Sequence, residues 1–208
     1  MADIWSSISN YFGTFDFWQV LSATFFLIAI VDPIGNMPVT INMEQKGLKV
    51  KPMLVVGVSA IILLCFLFLG QLMLKIFGIR IEYFACAGGF IIFLMALEMI
   101  LDMVFFKADV EDKNGGNIVP LAFPMYAGPG AFTALLSMTG DYGMINLAAA
   151  VLVCMVILWA VLVGTHWLMN HMGKNALYVC RKFFGVIVLG IAVQLMFGNL
   201  MKVLAEIL

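Results

Sequence analysis

Apolar residues fall into six long blocks separated by short polar stretches, at about Phe17–Ile41, Met53–Phe77, Ala85–Phe106, Ile118–Met138, Met144–Trp167 and Phe183–Leu204. Each block is close to the roughly 20 residues that cross a bilayer core as an α-helix. The blocks are continuous rather than alternating apolar with polar, which argues against membrane β-strands. The pattern predicts an all-α polytopic membrane protein with six transmembrane helices. Met1–Asp16 holds no Lys or Arg, so it lacks the basic region of a signal peptide, and the first block is expected to persist as a span.

Composition agrees with the pattern. Of 208 residues, 64% are hydrophobic and 11% charged, against about 25% charged in an ordinary globular domain. A soluble fold would leave a large apolar area facing water; lipid removes that problem. The net charge of −1 comes without a basic block or an acidic tail, so nucleic acid is not an expected partner. The four cysteines, Cys65, Cys86, Cys154 and Cys180, form no C-x-x-C pair and read as small apolar residues.

The polar connections predict an orientation. Lys46, Lys49, Lys51, Lys107, Lys113, Lys174, Arg181 and Lys182 fall on one side, and Lys75, Arg80 and Lys202 on the other. By the positive-inside rule the first, third and fifth loops are cytoplasmic and both termini extracytoplasmic. The third loop, Lys107–Asn117, is the one strongly polar stretch and reads as a cytoplasmic linker between two halves.

Those halves, about 17–106 and 118–204, match at an ungapped offset of 96 residues. Pro33 falls on Pro129, Gly89 on Gly185, Ile91 on Ile187, Ala96 on Ala192 and Glu98 on Gln194. Three spans per half force the second half to enter from the opposite side, so the expected domain is one transmembrane unit, 1–208, of two inverted three-helix repeats, a plan of secondary transporters.

The first and fourth spans are interrupted near their middles, at Val31-Asp32-Pro33-Ile34-Gly35-Asn36-Met37-Pro38 and at Ala127-Gly128-Pro129-Gly130-Ala131-Phe132-Thr133. Proline removes a donor and clashes with the preceding turn. Asp32 reads as an N-cap with Pro33 as the first helical residue, and Gly128-Pro129 in the same way. Two half-helices would then start at mid-membrane with open N–H groups and a positive dipole end. The alternative is a pair of proline kinks packed against neighbouring helices.

Glu98 lies well inside the third span, where a carboxylate costs about 2.5–3.5 kcal/mol on insertion scales. It is a candidate for proton coupling or for binding a substrate amine; the alternative is a carboxyl bonded to a neighbouring helix. Asp102, four residues on, reads as an interfacial group. His166 and His171 lack a carboxylate at ligand spacing, so no metal site is expected. Gly88, Gly89, Gly185 and Gly190 read as close helix contacts. There is no nucleophile elbow, phosphate loop or zinc motif, so neither enzymatic activity nor a cofactor is expected.

The D-P-x-G-N-x-P stretch from Asp32 to Pro38, with the later G-P-G-x-x-T stretch from Gly128 to Thr133, resembles the MarC family. Its members are six-span membrane proteins related to the LysE-type exporters, and some are similar to small neutral amino-acid transporters. The resemblance covers nearly the whole chain and implies a plasma-membrane transporter.

The expected function is secondary transport of glycine- or alanine-sized amino acids. Asp32, Gly35, Asn36, Gly128, Gly130, Ala131 and Thr133 form the expected substrate site, and Glu98 is the coupling candidate. The lipid bilayer and a small-molecule substrate are the expected partners, and a homo-oligomer is compatible with the sequence. A channel for a small neutral solute is the alternative, since paired half-helix ends also suit a constriction.

Overall fold

A computed structural model describes residues 14–45, 49–103 and 118–207. The polar linker Lys107–Asn117 and the N-terminal tail up to residue 13 lie outside the described residues. Among those described, every regular element is helical. They are α1 (Phe17–Val31), α2 (Met37–Gln45), α3 (Pro52–Ile76), α4 (Ile81–Leu101), a π-helical segment π1 (Ile118–Tyr126), α5 (Pro129–Met138) and α6 (Met144–Ile207).

Among the described residues, four stretches are long and apolar enough to cross a membrane: α3, α4 and two windows of α6, Met144–Leu168 and Ala176–Ala205. The blocks expected at Phe17–Ile41 and Ile118–Met138 are not single helices. The first is divided into α1 and α2 and the second into π1 and α5. Proline is the physical cause at both places, because it ends the run of backbone hydrogen bonds.

The 64-residue α6 cannot be straight. Near its start, the Asn146 side chain donates to Thr14 O at 3.0 Å and to Gln19 Oε1 at 2.8 Å, beside the start of α1. Further on, Val188 lines a cavity with Ile30, near the end of α1. A straight helix from Asn146 to Val188 would be about 60 Å long, whereas Asp16 to Ile30 spans about 20 Å. The chain therefore reverses between the two windows. The first window runs alongside α1 and α2, reaching Glu44 through His166 Nε2 at 2.7 Å. The second runs back antiparallel to α4, from Lys182 beside Asp102 to Met196 beside Gly89.

Glycines set the closeness of these contacts. A Cβ on Gly88 would stand 2.0 Å from the Thr133 side chain, and one on Gly89 would stand 2.9 Å from Met196 N and 3.2 Å from Ala192 O. A Cβ on Gly185 would meet Ile100 at 3.0 Å and Ala96 O at 3.6 Å. Gly190 does not fit the expected role, since a Cβ there would have nothing within 4 Å. The other three contacts are the close approaches that small residues permit between helices in lipid.

The core lies where α1, α3, α5 and the first window of α6 meet. Leu27, Leu63, Leu67, Leu135, Leu147 and Leu158 are fully buried there. Phe66 of α3 stacks on Phe132 of α5 with ring centroids 3.8 Å apart. Large side chains such as Phe68, Phe90, Val156 and Phe197 remain exposed around the outside, as expected of a surface solvated by hydrocarbon rather than water.

Candidate binding cavity at the broken first span

The break between α1 and α2 differs from the expected helix start. Asp32 does not begin a helix. It closes α1 in the left-handed region (φ 45°, ψ 64°), with its N–H donating to Ile28 O at 2.9 Å. Asp is among the few residues that tolerate this conformation. Residues 33–36 form a turn, and the helix resumes at Met37, not at Pro33. The Asp32 carboxylate accepts the Gly35 N–H at 2.9 Å, and the Asn36 amide donates to Val31 O at 3.1 Å. The N–H groups of Asn36, Met37 and Val39 donate to Asp32 O, Ile34 O and Asn36 O at 3.1–3.2 Å. The expected anion-binding donors of Gly35, Asn36 and Met37 are thus consumed within the turn. The reason is local: a carboxylate three residues before a glycine reaches its N–H more readily than a ligand can.

The second break follows the expected pattern. Gly128 is the N-cap, extended at φ −95° and ψ 179°, and Pro129 is the first helical residue of α5. Upstream, Ala127 N–H donates to Ala122 O at 2.9 Å, a five-residue step that widens the helix to π form. Ser59 of α3 donates to the same Ala122 carbonyl at 3.4 Å.

A cavity of about 60 Å³ lies beside the first break. Its polar walls are Asp32 and Asn36 from the turn, Glu98 from α4 and Arg181 from α6. Its apolar walls come from Ile30, Ile92, Met95, Met99 and Val188. A water needs roughly 10–15 Å³ by this measure, so the space suits a few waters or one small solute. Glu98 occupies the last turn of α4, which ends at Leu101, rather than the middle of a span.

Of the expected substrate residues, Asp32 and Asn36 line this cavity, with Glu98 beside them. Gly130 backs its wall, since a Cβ there would meet Met95 Sδ at 3.1 Å, Ile92 at 3.4 Å and Ile30 at 3.7 Å. Gly35 is folded under the Asp32 carboxylate, with Oδ2 only 1.8 Å from where a Cβ would sit. Gly128 packs on Pro124 O, and Thr133 packs on Gly88 while donating to Pro129 O at 2.9 Å. Ala131 is buried in the core. Gly35, Gly128, Ala131 and Thr133 therefore shape the breaks without lining the cavity.

Arg181 is the polar group that sequence reasoning missed. In the sequence it reads as part of a basic loop with Lys182, but both lie within α6. They face different ways, because consecutive helical residues are about 100° apart. Lys182 donates to Asp102 and to Ile100 O and lies 4.8 Å from the Tyr178 ring centroid. Asp102 is exposed and caps α4; the Lys182 hydrogen bond, with a second from Tyr178, holds its carboxyl below the usual range. Arg181 instead shares a face with Gly185 and Val188 at helical spacing and meets the cavity. That spacing was the available signal.

The profile described as "MarC family integral membrane protein" matches residues 17–204. The chain belongs to the MarC family. It is similar to the UPF0056 membrane protein BU449 of Buchnera aphidicola subsp. Acyrthosiphon pisum (strain APS), 26% identical over 184 residues, covering 85% of this chain and 93% of that protein. It resembles the UPF0056 inner membrane protein YhgN of Escherichia coli (strain K12), 26% identical over 191 residues with 85% and 93% coverage. It also resembles the UPF0056 membrane protein YhcE of the same strain, 28% identical over 195 residues with 86% and 91% coverage. No solved structure matches the chain. As a MarC-family protein it is an integral membrane protein, in agreement with its apolar helices.

Proposed function

We propose that this MarC-family protein is a secondary transporter that carries small neutral amino acids, glycine and alanine first, across the plasma membrane by alternating access. The observation that carries this reading is the small cavity in which Asp32 and Glu98 stand with Arg181. In a chain with 11% charged residues, three ionisable groups converge on one apolar-walled space. Intramembrane charges are costly and mark substrate or ion pathways. A zwitterion carries both signs that such walls complement, and a cavity this small excludes bulky side chains. The substrate passes unchanged, with no bond made or broken.

An inverted repeat supports alternating access. Gly89 meets Ala192 and Met196, while Gly185 meets Ala96 and Ile100. A shift of 96 residues exchanges these two contacts, as a pseudo-twofold axis between the halves would. The same shift carries Ile92 onto Val188, and both line the cavity. On this reading α1 with α2 and π1 with α5 each make one crossing, α3 and α4 one each, and α6 two, giving six. Glu98 is the proposed proton-coupling group; its repeat partner Gln194 does not titrate, so coupling is one-sided.

The test is counterflow in liposomes of purified protein. Internal unlabelled alanine should accelerate entry of labelled glycine or alanine, and internal leucine should not. Entry without acceleration by internal substrate would favour a channel, and no entry would remove amino acids as the substrate class.

A further inference from the structure

We infer that Arg181 is the residue that binds the substrate's carboxylate, and that the second break's helix start is not the anion site. This rests on the amino-acid transport reading and names the group within that cavity that recognises the acid end.

The argument starts from where Arg181 is held. Arg181, Gly185 and Val188 follow one another at helical spacing on the face of α6 turned to α4. Gly185 allows the close approach, with Met99 and Ile100 both 3.0 Å from where its Cβ would stand. That contact brings Arg181 to the space it lines with Met99, Glu98 and Asp32. Lys182 cannot take this part, because Asp102 and Ile100 O occupy its ammonium.

Chemistry then selects the ligand. A guanidinium presents a rigid planar fork of donors that matches a carboxylate through two parallel hydrogen bonds. The Arg181 Nε is buried and meets no acceptor among the described residues. Asp32 faces the same cavity, and its Oδ1 accepts the Gly35 N–H. A substrate carboxylate supplies the acceptor that the Arg181 Nε lacks. The substrate ammonium is then left facing the carboxylates of Asp32 and Glu98. The α2 start offers no rival anion site, its donors being used in the turn. At the start of α5, Gly130 sits behind Met95 and Ile92 instead of on the cavity surface.

The native chain allows a direct test, because it contains two arginines, Arg80 and Arg181. Arg80 is exposed beside Glu82 and serves as the internal reference. Purified protein in liposomes or detergent is treated with phenylglyoxal, and modification at each arginine is read by mass spectrometry. Alanine should slow modification of Arg181 at least tenfold, alaninamide should not, and Arg80 should be unaffected by either. A second arm uses Arg181→Gln and Arg181→Lys in competition against labelled alanine. The native protein should prefer alanine to alaninamide at least tenfold, Arg181→Gln should lose that preference, and Arg181→Lys should fall between.

The inference is overturned if Arg181 reacts equally with and without alanine, if it does not react while Arg80 does, or if Arg181→Gln keeps the native preference. Any of these alongside robust alanine counterflow leaves the transport reading standing. Absent counterflow together with absent protection brings down both.

Discussion

Replacing Asp32 separates a structural role from a chemical one. Its backbone lies at φ 45°, and its carboxylate accepts the buried Gly35 N–H at 2.9 Å. Alanine would lose both compensations. An ordinary L-residue in the left-handed region costs about 1–2 kcal/mol, and a buried donor left unsatisfied costs about 1–3 kcal/mol. Asp32→Ala should therefore destabilise by about 2–5 kcal/mol. Asparagine keeps both, because it tolerates the left-handed region and its amide oxygen can take the same N–H. Asp32→Asn should stay within about 1 kcal/mol of the native protein, yet it removes the negative charge facing Arg181. The expected outcome is a thermal midpoint lowered by several degrees for the alanine variant, little change for the asparagine variant, and alanine uptake lost in both. Thermal unfolding of detergent-purified protein followed by tryptophan fluorescence, paired with liposome uptake, reads the two effects separately. Equal thermal midpoints for the two variants would refute the capping argument. Full uptake by Asp32→Asn would remove the charge from the mechanism.

Two glycines in the second window of α6 and its partner should respond oppositely. Gly89→Ala forces a methyl 2.9 Å from a backbone nitrogen and should cost about 1–3 kcal/mol, whereas Gly190→Ala meets nothing within 4 Å and should be neutral or stabilising by up to about 1 kcal/mol in the same thermal assay. Gly130→Val should press on Met95 and Ile92 and narrow the cavity, raising the half-saturation concentration for alanine by about tenfold, a change of roughly 1.4 kcal/mol, while membrane insertion is retained; unchanged affinity would place the substrate elsewhere. For orientation, an impermeant maleimide applied to intact cells should label Ser7→Cys and spare Lys49→Cys in a background lacking the four native cysteines; the reverse pattern would invert the assignment drawn from the basic loops.

The apolar blocks determined the class of this protein without help from tertiary structure, because bilayer thickness and the backbone's hydrogen-bonding demand translate directly into run length. The two interruptions were equally legible: proline cannot donate to the preceding turn, so Pro33 and Pro129 within apolar blocks announced them. What happens at each break was not legible. Asp32 and Gly128 precede a proline alike, yet one closes a helix and the other opens one. The difference lies in whether a side chain reaches a nearby donor, and Asp32 finds Gly35. Gly89 and Gly185 were readable as close contacts, but Gly190 looked the same and touches nothing, since spacing along a helix does not say which face meets a neighbour. Arg181 shows this most clearly. Beside Lys182 it reads as loop charge, and only the reversal of α6 and the close approach to α4 at Gly185 turn it inward to face Asp32 and Glu98. Hydrophobic length is a local property that the chain carries in its order of residues; which charges converge is decided by how the helices pack.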